Sequence, residues 1–338
     1  METYLLALVP LFALALFTHS LIKKLKNASM AKFARSSDQI KNLKTQLQNV
    51  SKRQKTMSEQ LAIISKAVQS TQPHSKMRLF TILSMPKCGG SSVKSTLLHS
   101  FPDAEIMHLH IYSCKAMKQF SDFTGRIDYP NAHDRLTLHV ERASAARTLM
   151  NHLDNRNVFF LSGVREPVSL AVSAFFQGYF VPDQPAPSYS IEQIREKIES
   201  AQDSWLNWAE LDQWFDNELL EASGHDVFER PFPIEKGYDV FCKGGTRLLV
   251  YRLENMDTIL DSIAELAWVF PSTLNLQKTN VGNEKSYGDT YRHVVKNLKF
   301  SDAFLNRVYG SRYATHFYSA SEIAAYRSRW SQSQSSPH

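Results

Sequence analysis

The feature that most constrains this chain is a short apolar run that breaks into glycine. Leu79-Phe80-Thr81-Ile82-Leu83-Ser84 has strand character, Met85-Pro86-Lys87-Cys88-Gly89-Gly90-Ser91-Ser92-Val93 follows, and Lys94 to His99 suit a helix. Strand, glycine loop and helix outline an anion site. Glycines let the backbone approach a phosphate, and the unpaired amides of Gly90, Ser91 and Ser92 at the helix start, aided by the helix dipole, would hold its oxygens. The order of residues narrows the class: a Walker A loop carries its lysine after the second glycine, as GxxxxGK[ST], whereas Lys87 precedes both glycines.

A second segment repeats the pattern. Asn157 to Gly163 is another apolar run of buried-strand type and leads into Val164-Arg165-Glu166-Pro167, then on to Phe176. Pro167 suits the first turn of a helix, and Ser173 falls two turns later on about the face that Arg165 reaches. A guanidinium and a hydroxyl together suit one phosphate.

In order and spacing the two segments resemble the cofactor motifs of sulfotransferases that use 3′-phosphoadenosine 5′-phosphosulfate (PAPS). In that family the first motif reads PKxGxT/S, and the second is Arg-[Asp/Glu]-Pro with a serine eight residues after the arginine. The resemblance implies that Lys87 contacts the 5′-phosphate and the bridging oxygen. It also implies that Gly89, Gly90, Ser91 and Ser92 complete the 5′-phosphosulfate loop, and that Arg165 and Ser173 hold the 3′-phosphate. The fold it implies is α/β, a three-layer, mainly parallel sheet with helices on both faces and the cofactor across the strand ends at Ser84 and Gly163. No metal is expected, because Lys87 and the loop amides supply the charge stabilisation.

Downstream, Leu248 to Met256 looks like the late strand and acidic turn of that fold, and Phe317-Tyr318-Ser319 with Ala320 to Trp330 looks like its closing helix. The stretch from Trp214-Phe215-Asp216-Asn217-Glu218 to Glu235-Lys236-Gly237-Tyr238 is similar to a branch described as putative capsular polysaccharide synthesis proteins. That branch implies a carbohydrate acceptor.

Sulfuryl transfer needs a base for the acceptor hydroxyl, and histidine suits that role near neutral pH. His139 lies in the strand-like run Arg135 to Val140, between the two phosphate motifs, and is the expected base. His108 and His110 remain alternatives; their period-two spacing puts both on one strand face, without a third ligand that would suggest zinc. Cys88, Cys114 and Cys242 cannot form a disulfide framework and sit in no CxxC.

The formal net charge is +6, but residues 77–338 carry 27 bases against 30 acids. The body is therefore no polyanion binder, and nucleic acid is not expected as a partner. The basic excess lies between Lys23 and Lys76, beside an uncharged run from Tyr4 to Ile22 that is long enough to span a bilayer. These residues predict a single-pass anchor over 1–22. Lys23, Lys24, Lys26, Lys32 and Arg35 place the body in the cytoplasm by the positive-inside rule, while sequons at Asn27 and Asn49 point to a Golgi-like lumen instead. Ile40, Leu43, Leu47, Val50, Gln54, Met57, Leu61, Ile64 and Val68 follow the 3,4 heptad alternation of a coiled coil, so the basic stem over 23–76 is expected to make the chain a homo-oligomer. The catalytic domain is expected over 77–338. Two rivals stay open: a kinase or NTPase on a related fold, disfavoured by the missing GK[ST], and a membrane-bound scaffold with a degenerate nucleotide site.

Overall fold

The structure, a computed structural model, describes residues 44, 51, 78–123, 132–151, 157–179, 189–200, 211–277 and 288–331. The chain divides into two compact units, Met1–Pro73 and His74–His338. In the first, only Lys44 and Ser51 are described, both helical and exposed. The expected anchor over 4–22 and the heptad seam lie outside the described residues. Among the described residues no helix is long and apolar enough to cross a membrane.

In the second unit β1 (Leu79–Leu83) leads through α1 (Gly90–Ser100) to β2 (Glu105–Leu109), and α2 (Cys114–Phe123) and α3 (Ala132–Met150) lead to β3 (Val158–Val164). Then come α4 (Pro167–Tyr179), α5 (Ile191–Ser200) and α6 (Leu211–Trp214), which a π-helical turn over Phe215–Leu220 joins to α7 (Glu221–Ser223). The hairpin of β4 (Tyr238–Lys243) and β5 (Thr246–Arg252) is followed by a 3-10 segment, Leu253–Thr258, and by α8 (Ile259–Ala267). The chain closes with α9 (Gly288–Asn297), α10 (Asp302–Tyr309), α11 (Arg312–Phe317) and α12 (Ala320–Trp330).

The fold is mixed α/β on a five-stranded sheet of order β2-β1-β3-β5-β4, parallel except for β4. Every residue of β1 and of β3 is buried, so both faces of the central strands are covered. This explains why these strands are uninterrupted apolar runs without alternation. On one face Phe80 and Ile82, Phe159 and Leu161, and Leu249 and Tyr251 pack against Val93 and Leu97 of α1 and Ile259, Ile263 and Leu266 of α8. A second core gathers the helices: Val172 and Phe176 of α4, Ile194 of α5, Val294 of α9, Phe304 and Leu305 of α10 and Trp330 of α12.

The strand order places the site. The chain leaves β1 for β2 on one side, then returns across β1 to add β3 on the other, so the loops from the carboxyl ends of β1 and β3 diverge. Such a switch point is where an open α/β sheet usually holds its ligand, in the crevice between the two loops. One expectation fails: Arg135 to Val140 is not a strand but part of the 19-residue α3. Leu136, Leu138 and Val140 alternate, but Ala143, Ala146 and Leu149 continue a three-residue period that buries one helix face, and the alanine-rich sequence favours helix. The chain is helical over Ile191–Ser200 and again from Leu211, with residues 201–210 outside the described set.

Candidate functional site

β1 delivers the chain to the crevice at Ser84, and two residues of the loop take left-handed backbone: Lys87 at φ 68° and Gly89 at φ 81°. Glycine adopts this conformation freely, but for a lysine it costs of order 1 kcal/mol, and such positions concentrate at functional sites. Gly89 caps α1 without a side-chain hydrogen bond. The first amides of a helix have no partner within it, so the loop ends in donors. One of the three expected amides is already engaged: Ser92 donates its N–H to the Gly89 carbonyl at 3.0 Å. Ser91 is exposed at the helix start and Gly90 is buried.

Close packing fixes the loop. A Cβ on Gly163 of β3 would meet the Cys88 carbonyl oxygen at 2.4 Å, so only glycine lets β3 pass beneath it. The same carbonyl accepts a hydrogen bond from the Tyr251 hydroxyl at 3.1 Å. The Cys88 side chain is buried, with Sγ 3.7 Å from the Pro86 carbonyl. Burial pushes its thiol up, so it is no nucleophile at neutral pH.

Arg165 crosses the crevice. It follows β3, and its Nη1 donates to the Lys87 carbonyl at 3.2 Å. The Tyr313 hydroxyl clamps its backbone from behind, accepting from the Arg165 N–H at 2.8 Å and lying 2.7 Å from the Arg165 carbonyl. The two predicted motifs are therefore in direct contact. Glu166 takes another role: its carboxylate caps α4, accepting from the amides of Val168 at 2.8 Å and Ser169 at 2.7 Å, and it also accepts from the Tyr309 hydroxyl at 2.6 Å and from Trp330 Nε1 at 3.4 Å. Ser173 is buried on α4, and no side-chain hydrogen bond joins it to Arg165 among the described residues.

On the other side of β1 stands a row of imidazoles. Ile82 pairs with His108 across the parallel ladder. The His108 ring lies so close to α1 that a Cβ on Gly90 would be 2.5 Å from Nε2. The His110 ring is 4.9 Å from that of His108 and 5.0 Å from that of His139, so α3 brings the expected base to the site from a helix rather than a strand. His110 Nδ1 lies 2.8 Å from the Ser84 carbonyl. Burial holds His110 down to about 4 and His108 well below the usual imidazole range, with the neighbouring cations acting in the same direction. Three histidines meet here, yet among the described residues no group of His, Cys, Asp or Glu could hold a metal ion.

The loop after β2 is held from the π-helical turn. Its Glu218 accepts from the amides of Tyr112 at 2.5 Å and Ser113 at 2.8 Å and from the Ser113 hydroxyl at 2.5 Å, while Trp214 Nε1 donates to the His110 carbonyl at 3.2 Å. A π turn inside a helix shifts its face by one residue, which lets both side chains aim at one loop. Glu254, after β5, accepts from the Glu166 amide at 2.7 Å and the Tyr318 hydroxyl at 3.1 Å, and burial pushes its carboxyl up.

Residues 201–319 match a family model described as "putative capsular polysaccharide synthesis protein". No curated protein matches the chain. No solved structure matches it. The matched span includes Trp214, Glu218, Tyr251, Tyr309 and Tyr313, which brace the loops, but neither of the two motifs, Lys87 to Ser92 and Arg165 to Ser173. Sequence reasoning missed these bracing tyrosines and the carboxylate of Glu218. The only signal for Glu218 was its place in the Asp216-Asn217-Glu218 stretch.

Proposed function

We propose that this protein transfers a sulfuryl group from PAPS to a hydroxyl of a carbohydrate acceptor. The observation that supports this reading most is the contact between Arg165 and the Lys87 carbonyl, which joins two motifs 78 residues apart across the crevice between neighbouring parallel strands. On this reading Lys87 and the first amides of α1 hold the 5′-phosphosulfate, and Arg165 with Ser173 holds the 3′-phosphate. The acceptor oxygen attacks sulfur while the bond from sulfur to the bridging oxygen breaks, and the leaving 3′-phosphoadenosine 5′-phosphate keeps the electron pair. Lys87 meets the charge that develops on the bridging oxygen. His139, which keeps partial exposure, takes the hydroxyl proton.

The family matched over residues 201–319 supports a polysaccharide as the acceptor. The single-pass anchor, the stem oligomer and the cytoplasmic body belong to the same proposal. Glycosylation at Asn27 or Asn49 would reverse that orientation.

Calorimetry with 3′-phosphoadenosine 5′-phosphate against its 3′-dephospho counterpart tests the donor. The 3′-phosphorylated nucleotide should bind at least about tenfold more tightly, the worth of one charge-assisted hydrogen bond. Equal affinities would sink the reading. Labelled sulfate transfer onto a panel of glycans then identifies the acceptor.

A further inference from the structure

His108 leaves one nitrogen, Nε2, buried and without a hydrogen-bond partner. That nitrogen faces the start of α1, where a Cβ on Gly90 would lie 2.5 Å away. The charged and titratable groups that act on the ring come from each element packed around it: His110 just beyond β2, Lys94 on α1, and Arg142 and His139 on α3. All are bases. A buried donor or acceptor left unmatched is costly, and a bound ion or an ordered water is one way to complete it. The chemistry of these groups, helix amides with lysine and arginine, fits an oxyanion.

We propose that His108 is one arm of an anion cradle at the glycine loop, and that the cradle takes up a proton together with the anion, His108 becoming an imidazolium that donates from Nε2. The proposal rests on the anion site of the preceding reading but not on the nucleotide. Burial and the surrounding bases favour the neutral ring. A dianion seated on the amides reverses the local field: one unit charge at about 4 Å, at an effective dielectric of about 20, is enough to raise a pKa by roughly three units. The proton comes from solvent, and no bond of the ligand changes. An imidazolium cannot also accept the acceptor's proton, so the roles of His108 and His139 separate.

The linkage has a definite sign. If binding raises the pKa of His108, affinity for the anion grows as pH falls, by up to about tenfold per pH unit between the free and bound values. Inorganic sulfate is the probe, because it stays a dianion across this range and brings no proton. Calorimetry of the full chain near pH 6, in two buffers of different ionisation heat, should show uptake approaching one proton per sulfate. His108→Gln, which keeps a donor but cannot titrate, should bind sulfate without proton uptake and with affinity independent of pH.

No uptake by the wild type, or uptake retained by His108→Gln, overturns the proposal. Should the variant not fold, the His108 imidazole carbon shift of the wild type decides by NMR: a titration midpoint that sulfate does not raise overturns it equally. Sulfate binding with proton uptake, but no preference for 3′-phosphorylated nucleotide, would leave this inference standing and remove the donor assignment. Nucleotide preference without proton uptake would do the reverse.

Discussion

The loops that leave β1 and β3 face each other across one crevice but are built on opposite terms. After β3 the polar groups are satisfied within the protein: Glu166 accepts from two amides, a tyrosine and a tryptophan, and Tyr313 holds both backbone groups of Arg165. After β1, the Ser84 hydroxyl is buried without a partner, Lys87 has left-handed backbone, and α1 begins without a side-chain cap, while His108 Nε2 on the neighbouring β2 is buried without a partner as well. Buried polar groups are normally paired, so the first loop is architecture and the second is incomplete by itself. On the proposed reading, the difference puts most of the ligand's contacts on the β1 side and makes the β3 side chiefly a frame that aims one guanidinium.

The largest effect should test the incomplete side. Lys87→Ala is expected to lower turnover by roughly 10²- to 10³-fold, the loss usual for removing one donor to developing charge. Affinity for the desulfonated nucleotide should fall much less, because the bridging oxygen gains its charge only as the bond to sulfur breaks. Equal losses in rate and binding would contradict a role in the transition state. The mirror experiment is Glu166→Ala, which strips the cap from α4 and strands the Tyr309 hydroxyl and the Trp330 indole. It should destabilise the fold by roughly 3 kcal/mol in chemical denaturation. If Glu166→Ala instead leaves stability intact and weakens nucleotide binding, the division between frame and site is wrong.

How far the sequence reveals this arrangement follows from where the determining contacts lie. The β1 and β3 segments were legible because parallel strands covered on both faces leave a continuous apolar run, and the loops after them differ from ordinary turns in residue order. The strand-like run Arg135 to Val140 is helix instead because a six-residue alternation is too short to distinguish the two, and the alanines that decide it come later in the chain. The bracing contacts were not legible at all. Tyr313 lies 148 positions from Arg165, and Glu218 lies 105 from Ser113; no local period reports a partner at that distance. His108 and His110 were read as a strand-face pair, but only the fold shows that one of them meets Gly90.

Arg165→Ala comes next in size. Losing a charge-assisted hydrogen bond should weaken 3′-phosphoadenosine 5′-phosphate by about 1.5 to 3 kcal/mol, while the 3′-dephospho nucleotide should change little. Acid should also act on the incomplete side. Burial depresses His108 and His110, so the unfolded chain binds more protons than the folded one, and stability rises with pH. The contribution is present above the unfolded value of about 6.5 and is lost as pH falls toward about 4, where His110 titrates in the fold. Unfolding free energies at pH 7 and pH 5 should differ by about 1 kcal/mol or more, and His110→Gln should flatten the slope. An unchanged slope in that variant would show that the imidazole row is not the acid-sensitive element.

The smallest effect sharpens the comparison most, because it asks whether the β3 side offers the ligand anything besides Arg165. Ser173 is buried on α4, a setting equally suited to a hydroxyl awaiting a phosphate and to plain helix packing. A neutral hydroxyl donor is worth about 1 kcal/mol net, so Ser173→Ala should weaken 3′-phosphoadenosine 5′-phosphate by roughly fivefold if it binds the 3′-phosphate. It should leave the 3′-dephospho nucleotide untouched, and stability should move by less than about 0.5 kcal/mol, because the variant removes no internal hydrogen bond to Arg165 and leaves only a small void. Combining Ser173→Ala with Arg165→Ala decides whether the two act on one group. If both touch the same phosphate, the double variant should lose less than the sum of the singles, since the hydroxyl has little left to orient once the guanidinium is gone. Strict additivity, or no effect of Ser173→Ala on either nucleotide, would leave Arg165 as the sole contribution from the β3 side and would place the 3′-phosphate, if it binds, closer to the β1 loop.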